Sequence, residues 1–333
     1  MEEIAACIAH QNSWTSAAVA MYGAIRFTGR HELDLIDVMG YTGHAFRINI
    51  HPRNVDVAGP TGYPWGPFFA EGLGNLGFRT ASVRSANLAP PTAEELTRGL
   101  NLIQASLDKG IPVIGWDLFI PEFGLLYGYD DDKKLLHAKD PKMKDGGTLP
   151  YEKLGRGEIS ELFVMSLEEA RPFDKASALR GALAMAIHHA RQREHQHELP
   201  PYMNGLAAYD GWKQAFSSRA VSEFGNAYNT VLVYDARLYA AAFMKRLQQV
   251  WDADDELEQD IRQAAFEAER HYARVAESLK VMHTMFPFPQ GGSPNDPSES
   301  MRAIERLEEA QSAEEQAVLV LERMASLLLA LDK

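Results

Sequence analysis

The sequence has a single cysteine, Cys7, in 333 residues. No disulfide can form within the chain, and nothing here speaks for an oxidising compartment. Basic residues are in deficit: 33 Lys and Arg stand against 46 Asp and Glu, a formal charge of −13. That balance argues against non-specific binding to nucleic acid or to an anionic membrane. No apolar run is long enough to span a bilayer, so no membrane partner is expected. The opening MEEIAACIAHQ starts with two acids and lacks a long apolar core; a signal peptide is not expected, and a cytoplasmic protein is. Glycines recur between His51 and Phe78, yet no strand leads into a helix at phosphate-loop spacing. Nucleotide binding is unsupported, and no cofactor is expected.

What is present suits a folded chain, with 46% hydrophobic and 24% charged residues. The length favours two domains. The stretch from Gly110 to Pro141 organises the first. Its apolar runs Pro112 to Ile120 and Phe123 to Tyr127 are of strand length and rich in β-branched or aromatic residues. Asp130, Asp131 and Asp132 form a turn cluster before a third run, Leu135 to Ala138, and Asp140-Pro141 closes it. Two or three antiparallel strands at the centre of a sheet are expected.

Before them, Ser13 to Phe27 reads as an alanine-rich helix with Ser13 as N-cap, and Glu32 to Met39 as a second helix. The Gly- and Pro-rich run from His51 reads as a long loop carrying Tyr63 and Trp65 in PTGYPWG. Phe68 to Leu76 then reads as helix and Phe78 to Val83 as strand. Thr92 to Lys109 reads as an amphipathic helix, with Thr92 and Glu95 spaced as a capping box.

Past Arg171 strand-like segments vanish. Helical segments are expected at Asp174 to Glu194, Gly205 to Arg219, Glu223 to Trp251, Asp254 to Met285 and Ser298 to Leu331. Stripes such as Leu232, Ala236, Tyr239 and Phe243, or Val318, Leu321, Ala325 and Leu328, read as core. The resulting expectation is α+β at residues 1–170 and all-α at 171–333. His188, His189, His195 and His197 crowd one helix end, but adjacent histidines face different ways, and a solvated cluster is the expectation; no metal site is. The acidic run Asp252 to Asp255 suits a helix N-terminus and lacks a calcium loop's spacing.

The segments NSWTSAAVAMYG, GIPVIGWDLF, GYDDD and KDP together resemble the N-terminal domain of the butirosin biosynthesis protein H family, related to papain-like cysteine peptidases. GLAAYDGW, FGNAYN and ERHYARVAESL are similar to the helical region that accompanies it. The resemblance implies a papain-like fold with a central antiparallel sheet, and a cysteine at the start of the first long helix. Here the matching position is Ser13, with Trp14 as the neighbouring register. The family's histidine, at the start of the strand leading into GYD, is matched by Glu122, and the third member by Asp140. Cys7 lies where the resemblance implies an oxyanion-supporting residue. His10, His44, His51 and His137 could supply a base from elsewhere, and spacing singles none of them out.

A carboxylate at its reference pKa is a poor base towards a serine hydroxyl. The expectation is therefore an inherited cleft without its chemistry, binding a small molecule, a peptide or a carrier-linked acyl group. Trp14, Tyr63, Trp65 and Asp117 are the candidate ligand-binding residues, and the acidic Glu122, Asp117 and Asp140 favour a cationic or hydroxyl-rich ligand. The resemblance also implies an alternative, acyl transfer or hydrolysis with Ser13 as nucleophile and an acyl carrier protein as partner. A third is an interaction module, with the helices Glu223 to Trp251 and Asp254 to Met285 forming a homodimer.

Overall fold

A computed structural model describes residues 12–30, 32–191, 202–252 and 255–329. The chain begins with α1 (Ser16–Ile25), α2 (Leu35–Tyr41), β1 (Asn49–Ile50), α3 (Trp65–Asn75), β2 (Phe78–Arg84) and α4 (Ala93–Leu107). Then come β3 (Val113–Trp116), β4 (Phe123–Asp130), β5 (Leu135–Lys139), β6 (Gly147–Pro150) and β7 (Phe163–Ala170). The remainder is α5 (Lys175–Ala190), β8 (Met203–Asn204), α6 (Leu206–Ser218), α7 (Glu223–Val250), α8 (Glu256–Met285) and α9 (Pro297–Leu329). The protein is mixed α+β. Among the described residues no helix is long and apolar enough to cross a membrane.

Contacts divide the described residues into two units, one of 12–38 and 65–174, the other of 39–64 and the chain from 175 onward. The first holds a six-stranded sheet in the order β2-β7-β3-β4-β5-β6, with every pairing antiparallel. Its register follows the apolar pattern. Val113 stands opposite Leu126 and Trp116 opposite Phe123, so alternate residues face alternate sides. On one side Ile103 of α4 packs with Val113, Leu126, Leu136, Ala138 and Val164. On the other, Trp65, Phe69, Trp116, Phe123 and Phe163 form an aromatic cluster, with ring centroids 4.6 Å apart for Trp65 and Trp116. The β4–β5 turn falls at the aspartates, and α4 opens on the Thr92–Glu95 capping box. Two strands lie in stretches with no sequence expectation: β6 at the edge, and β7, which sits between β2 and β3.

The second unit is built on α7, α8 and α9. Leu232, Ala236, Tyr239, Phe243, Val318, Leu321 and Leu328 are buried, as their periodicity requires, while Ala325 of the same stripe is half-buried. Asp255 caps α8 by accepting the Glu258 N–H at 3.0 Å. The expectation of no strands past Arg171 is corrected by β8, which pairs antiparallel with β1. Two residues of pairing leave no periodic trace in a sequence.

A cut at 170/171 keeps 39–64 with the sheet, whereas the contacts place it with the helices. Polar contacts hold it there. Arg237 of α7 donates to Ala45 O at 3.0 Å and Arg47 O at 3.2 Å. Buried His189 lies 2.9 Å from Ile48 N, Asn229 donates to Asp56 O at 2.7 Å, and Ser222 N donates to Asn54 O at 2.7 Å. Backbone groups do most of the accepting, so little of this is visible in side-chain identities.

Candidate functional site

The site follows from where α1 begins. Thr15 occupies the N-cap position, and Ser13 Oγ accepts the Thr15 N–H at 3.0 Å in a local serine turn. The helix therefore starts at Ser16, two residues later than a Ser13 cap requires. Eight of its residues are buried, Ala17, Ala18 and Ala20 among them. Small residues let the helix lie close on β4: a Cβ at Gly23 would stand 2.5 Å from Leu125 Cδ1.

Ser16, 7% exposed, is the residue that meets Glu122. Its hydroxyl donates to Glu122 Oε2 in a short hydrogen bond and accepts the Phe123 N–H at 3.1 Å. The serine that donates to Glu122 here is Ser16, one helical turn after Ser13, whose Oγ accepts from Thr15 N. The carboxylate stands by the first turn of a helix, where the unpaired N–H groups and the macrodipole favour negative charge. Glu122 is also held from behind, because Asp117 N donates to its carbonyl at 3.0 Å.

Asp140 directly follows β5, and both its oxygens are used by backbone. Oδ2 accepts from Phe119 N at 2.9 Å and Ile120 N at 3.0 Å; Oδ1 accepts from Lys142 N and Met143 N, each at 2.9 Å. It ties the β3–β4 connection to the turn after β5, so its role is positional. Asp117, 3% exposed, holds a left-handed backbone with φ 51° and accepts the Ile159 N–H at 2.6 Å. Burial pushes its carboxyl pKa up; the Ile159 hydrogen bond opposes this, and the nearby charges of Glu158 and Asp140 add to it.

The other candidates separate. Trp14 is 44% exposed just ahead of α1. Trp65, 7% exposed, belongs to the aromatic core of the sheet unit, under the Arg84 guanidinium at 5.9 Å. Tyr63 belongs to the helical unit, with Arg47 over its ring at 4.1 Å and its hydroxyl 3.4 Å from His44 Nε2. Neither aromatic presents an open face to a ligand. His44 is buried against Thr42, at 2.7 Å from Nδ1. Burial, with Arg47 nearby, drives its pKa down to about 3. Tyr127 and His137 have ring centroids 6.2 Å apart, and His51 lies 3.3 Å from Arg53 N.

Cys7, His10, His195 and His197 lie outside the described residues. His188 is exposed and His189 buried, so the expectation of a solvated histidine cluster is corrected at His189, which serves Ile48. Among the described residues no three His, Cys, Asp or Glu side chains are grouped to hold a metal ion.

One polar cluster carried no sequence signal. In the helical unit Arg237 and Glu314 are buried and paired through two hydrogen bonds, Nη2 to Oε1 at 2.6 Å and Nε to Oε2 at 2.8 Å. Tyr209 donates to Glu314 Oε2 at 2.5 Å. Burial works against the Arg237 charge and Glu314 outweighs it, leaving the guanidinium pKa above its ordinary value; burial likewise raises Tyr209. The three residues lie up to 105 positions apart in the chain. No family model and no curated protein matches the chain.

Proposed function

We propose that the sheet unit is a papain-like domain of the butirosin biosynthesis protein H type that binds a ligand without turning it over, with Ser16 and Glu122 standing where relatives carry cysteine and histidine. The observation that carries this reading is the Ser16–Glu122 hydrogen bond at the start of α1. Two placements support it: Glu122 immediately precedes β4, and Asp140 immediately follows β5, as the resemblance implies for the family's histidine and third residue. Turnover is disfavoured on chemical grounds. The Ser16 proton is directed at a carboxylate, a weak base beside imidazole, and its oxygen already accepts a backbone N–H.

The ligand class is a small cationic or hydroxyl-rich molecule, such as an amine or an amino sugar, and a carrier-linked acyl group or a peptide bearing an amine falls within it. Glu122 is the anchoring charge. Calorimetric titration of an amino-sugar and polyamine panel tests this. Binding to the native protein that Glu122→Gln abolishes supports it, and equal affinity in the two proteins removes Glu122 from the account.

A second reading rests on the same contact. Ser16, and not Ser13, would be the nucleophile of an acyltransferase or hydrolase, with Glu122 as base and the first N–H groups of α1 supporting the oxyanion. A serine-reactive acyl donor would then label the native protein at Ser16 and leave Ser16→Ala unlabelled.

A further inference from the structure

Segment 51–62 covers one face of α7 in the helical unit, and that face carries buried polar atoms with no hydrogen-bond partner among the described residues. Asn226, Asn229 and Thr230 are 0%, 1% and 0% exposed. They lie at i, i+3 and i+4, so they share a face of the helix. Their orphaned atoms are Asn226 Nδ2, Asn229 Oδ1 and Thr230 Oγ1, and a fourth, Asn54 Oδ1, belongs to the covering segment.

Amide orientation does not explain the orphans away. Asn226 Oδ1 accepts the Trp212 indole N–H at 2.8 Å. That donor requires oxygen on its side and leaves Nδ2 on the other. Asn229 Nδ2 donates to Asp56 O at 2.7 Å and to Gly225 O at 2.8 Å. Two carbonyls require nitrogen there, and Oδ1 is left over. One orphan is thus a donor, two are acceptors, and the threonine hydroxyl is either.

The covering segment is drawn in tightly. Val55 is a buried β-branched residue with φ 51°, a conformation that persists only where the surroundings impose it. Its carbonyl oxygen would stand 2.3 Å from a Cβ at Gly225, and Asn49 O would stand 2.4 Å from a Cβ at Gly59. Glycine is what those close approaches demand. The acid of the covering segment is already used, since the Asp56 carboxylate accepts from the Tyr202 hydroxyl at 2.8 and 3.0 Å and from Ala58 N at 3.1 Å.

We infer that Asn226, Asn229 and Thr230 hold an internal water molecule beneath segment 51–62. The water accepts from Asn226 Nδ2 and donates to Asn229 Oδ1 and Thr230 Oγ1, which gives it the three partners typical of buried solvent. An ion fits less well, because the orphaned set is neutral and mixes one donor with acceptors.

The test joins a crystal structure at water-resolving resolution with the variant Thr230→Val, which keeps the shape and removes the hydroxyl. Expected are a solvent peak within hydrogen-bonding distance of all three atoms and a folding equilibrium constant about fivefold lower in the variant, the loss of one satisfied hydrogen bond. If Thr230 Oγ1 is simply unsatisfied, removing it leaves stability equal or higher. A site without a solvent peak, a peak belonging to an organic solute, or a variant at least as stable as the parent each overturns the assignment.

Discussion

Replacing Arg237 with methionine removes a guanidinium that does four things at once. It holds both oxygens of Glu314 and accepts no solvent contact, its side chain being 0% exposed. It also donates to Ala45 O and Arg47 O, tying segment 39–64 to α7. Methionine fills similar volume, so the expected loss is electrostatic and not one of packing. It leaves the Glu314 carboxylate, 4% exposed, without its counter-charge, and breaking a buried pair from one side costs about 3–5 kcal/mol. For a unit in the range of 150–250 residues each kcal/mol moves the melting temperature by roughly 2–4 °C, so a fall of about 6–20 °C is expected. Glu314→Leu alone strands the arginine and should cost a similar amount. The double variant should be much less destabilised than the sum of the two, because two apolar side chains of similar volume leave no buried charge. Thermal and urea unfolding followed by helical circular dichroism measure all four corners. Additive single losses would refute the coupled, buried ion pair.

Three further outcomes are expected. His44 is kept neutral in the folded protein by burial and by Arg47, with its pKa lowered to about 3. The unfolded chain takes up that proton near pH 6.5 and the folded chain does not, so this stability is present above pH 6.5 and lost as pH falls. Between pH 6.5 and 5 the native protein should lose about 2 kcal/mol more than His44→Gln in paired urea titrations, and equal losses would contradict the assignment. Asp140→Ala removes the acceptor of four backbone N–H groups and should destabilise the sheet unit by roughly 3 kcal/mol; a change below half of that in urea midpoints would show the carboxylate to be dispensable. Gly40→Ala drives a methyl to 2.2 Å from the Phe243 ring, an overpacking that should cost about 1–3 kcal/mol by the same measurement.

Much of the fold was legible because periodicity and caps are local. The Thr92–Glu95 box, the aspartate turn after β4 and the five long helical segments all lie in the residues that form them. Other elements were not. LFVMSLEEA holds Leu, Met, Glu and Ala, residues at home in helices, yet most of it forms β7 because partners on both sides pair with it. Segment 39–64 joins the helical unit through backbone carbonyls and a two-residue strand, which leave no side-chain signature. At the site, Glu122 immediately precedes β4, and the serine that donates to it, Ser16, stands one turn after Ser13. Ser13 and Ser16 both suit a helix start. What separates them is that Ser13 Oγ closes on Thr15 N while Ser16 faces β4, a tertiary fact.

The most direct test of the account is to incubate the native protein and Ser16→Ala with a serine-reactive acyl donor and record intact masses. A Ser16 hydroxyl occupied by Glu122 and Phe123, as proposed, requires that both proteins keep their unmodified mass. A single adduct on the native protein, mapped to Ser16 and absent from Ser16→Ala, would contradict it and make the same residues a working nucleophile and base.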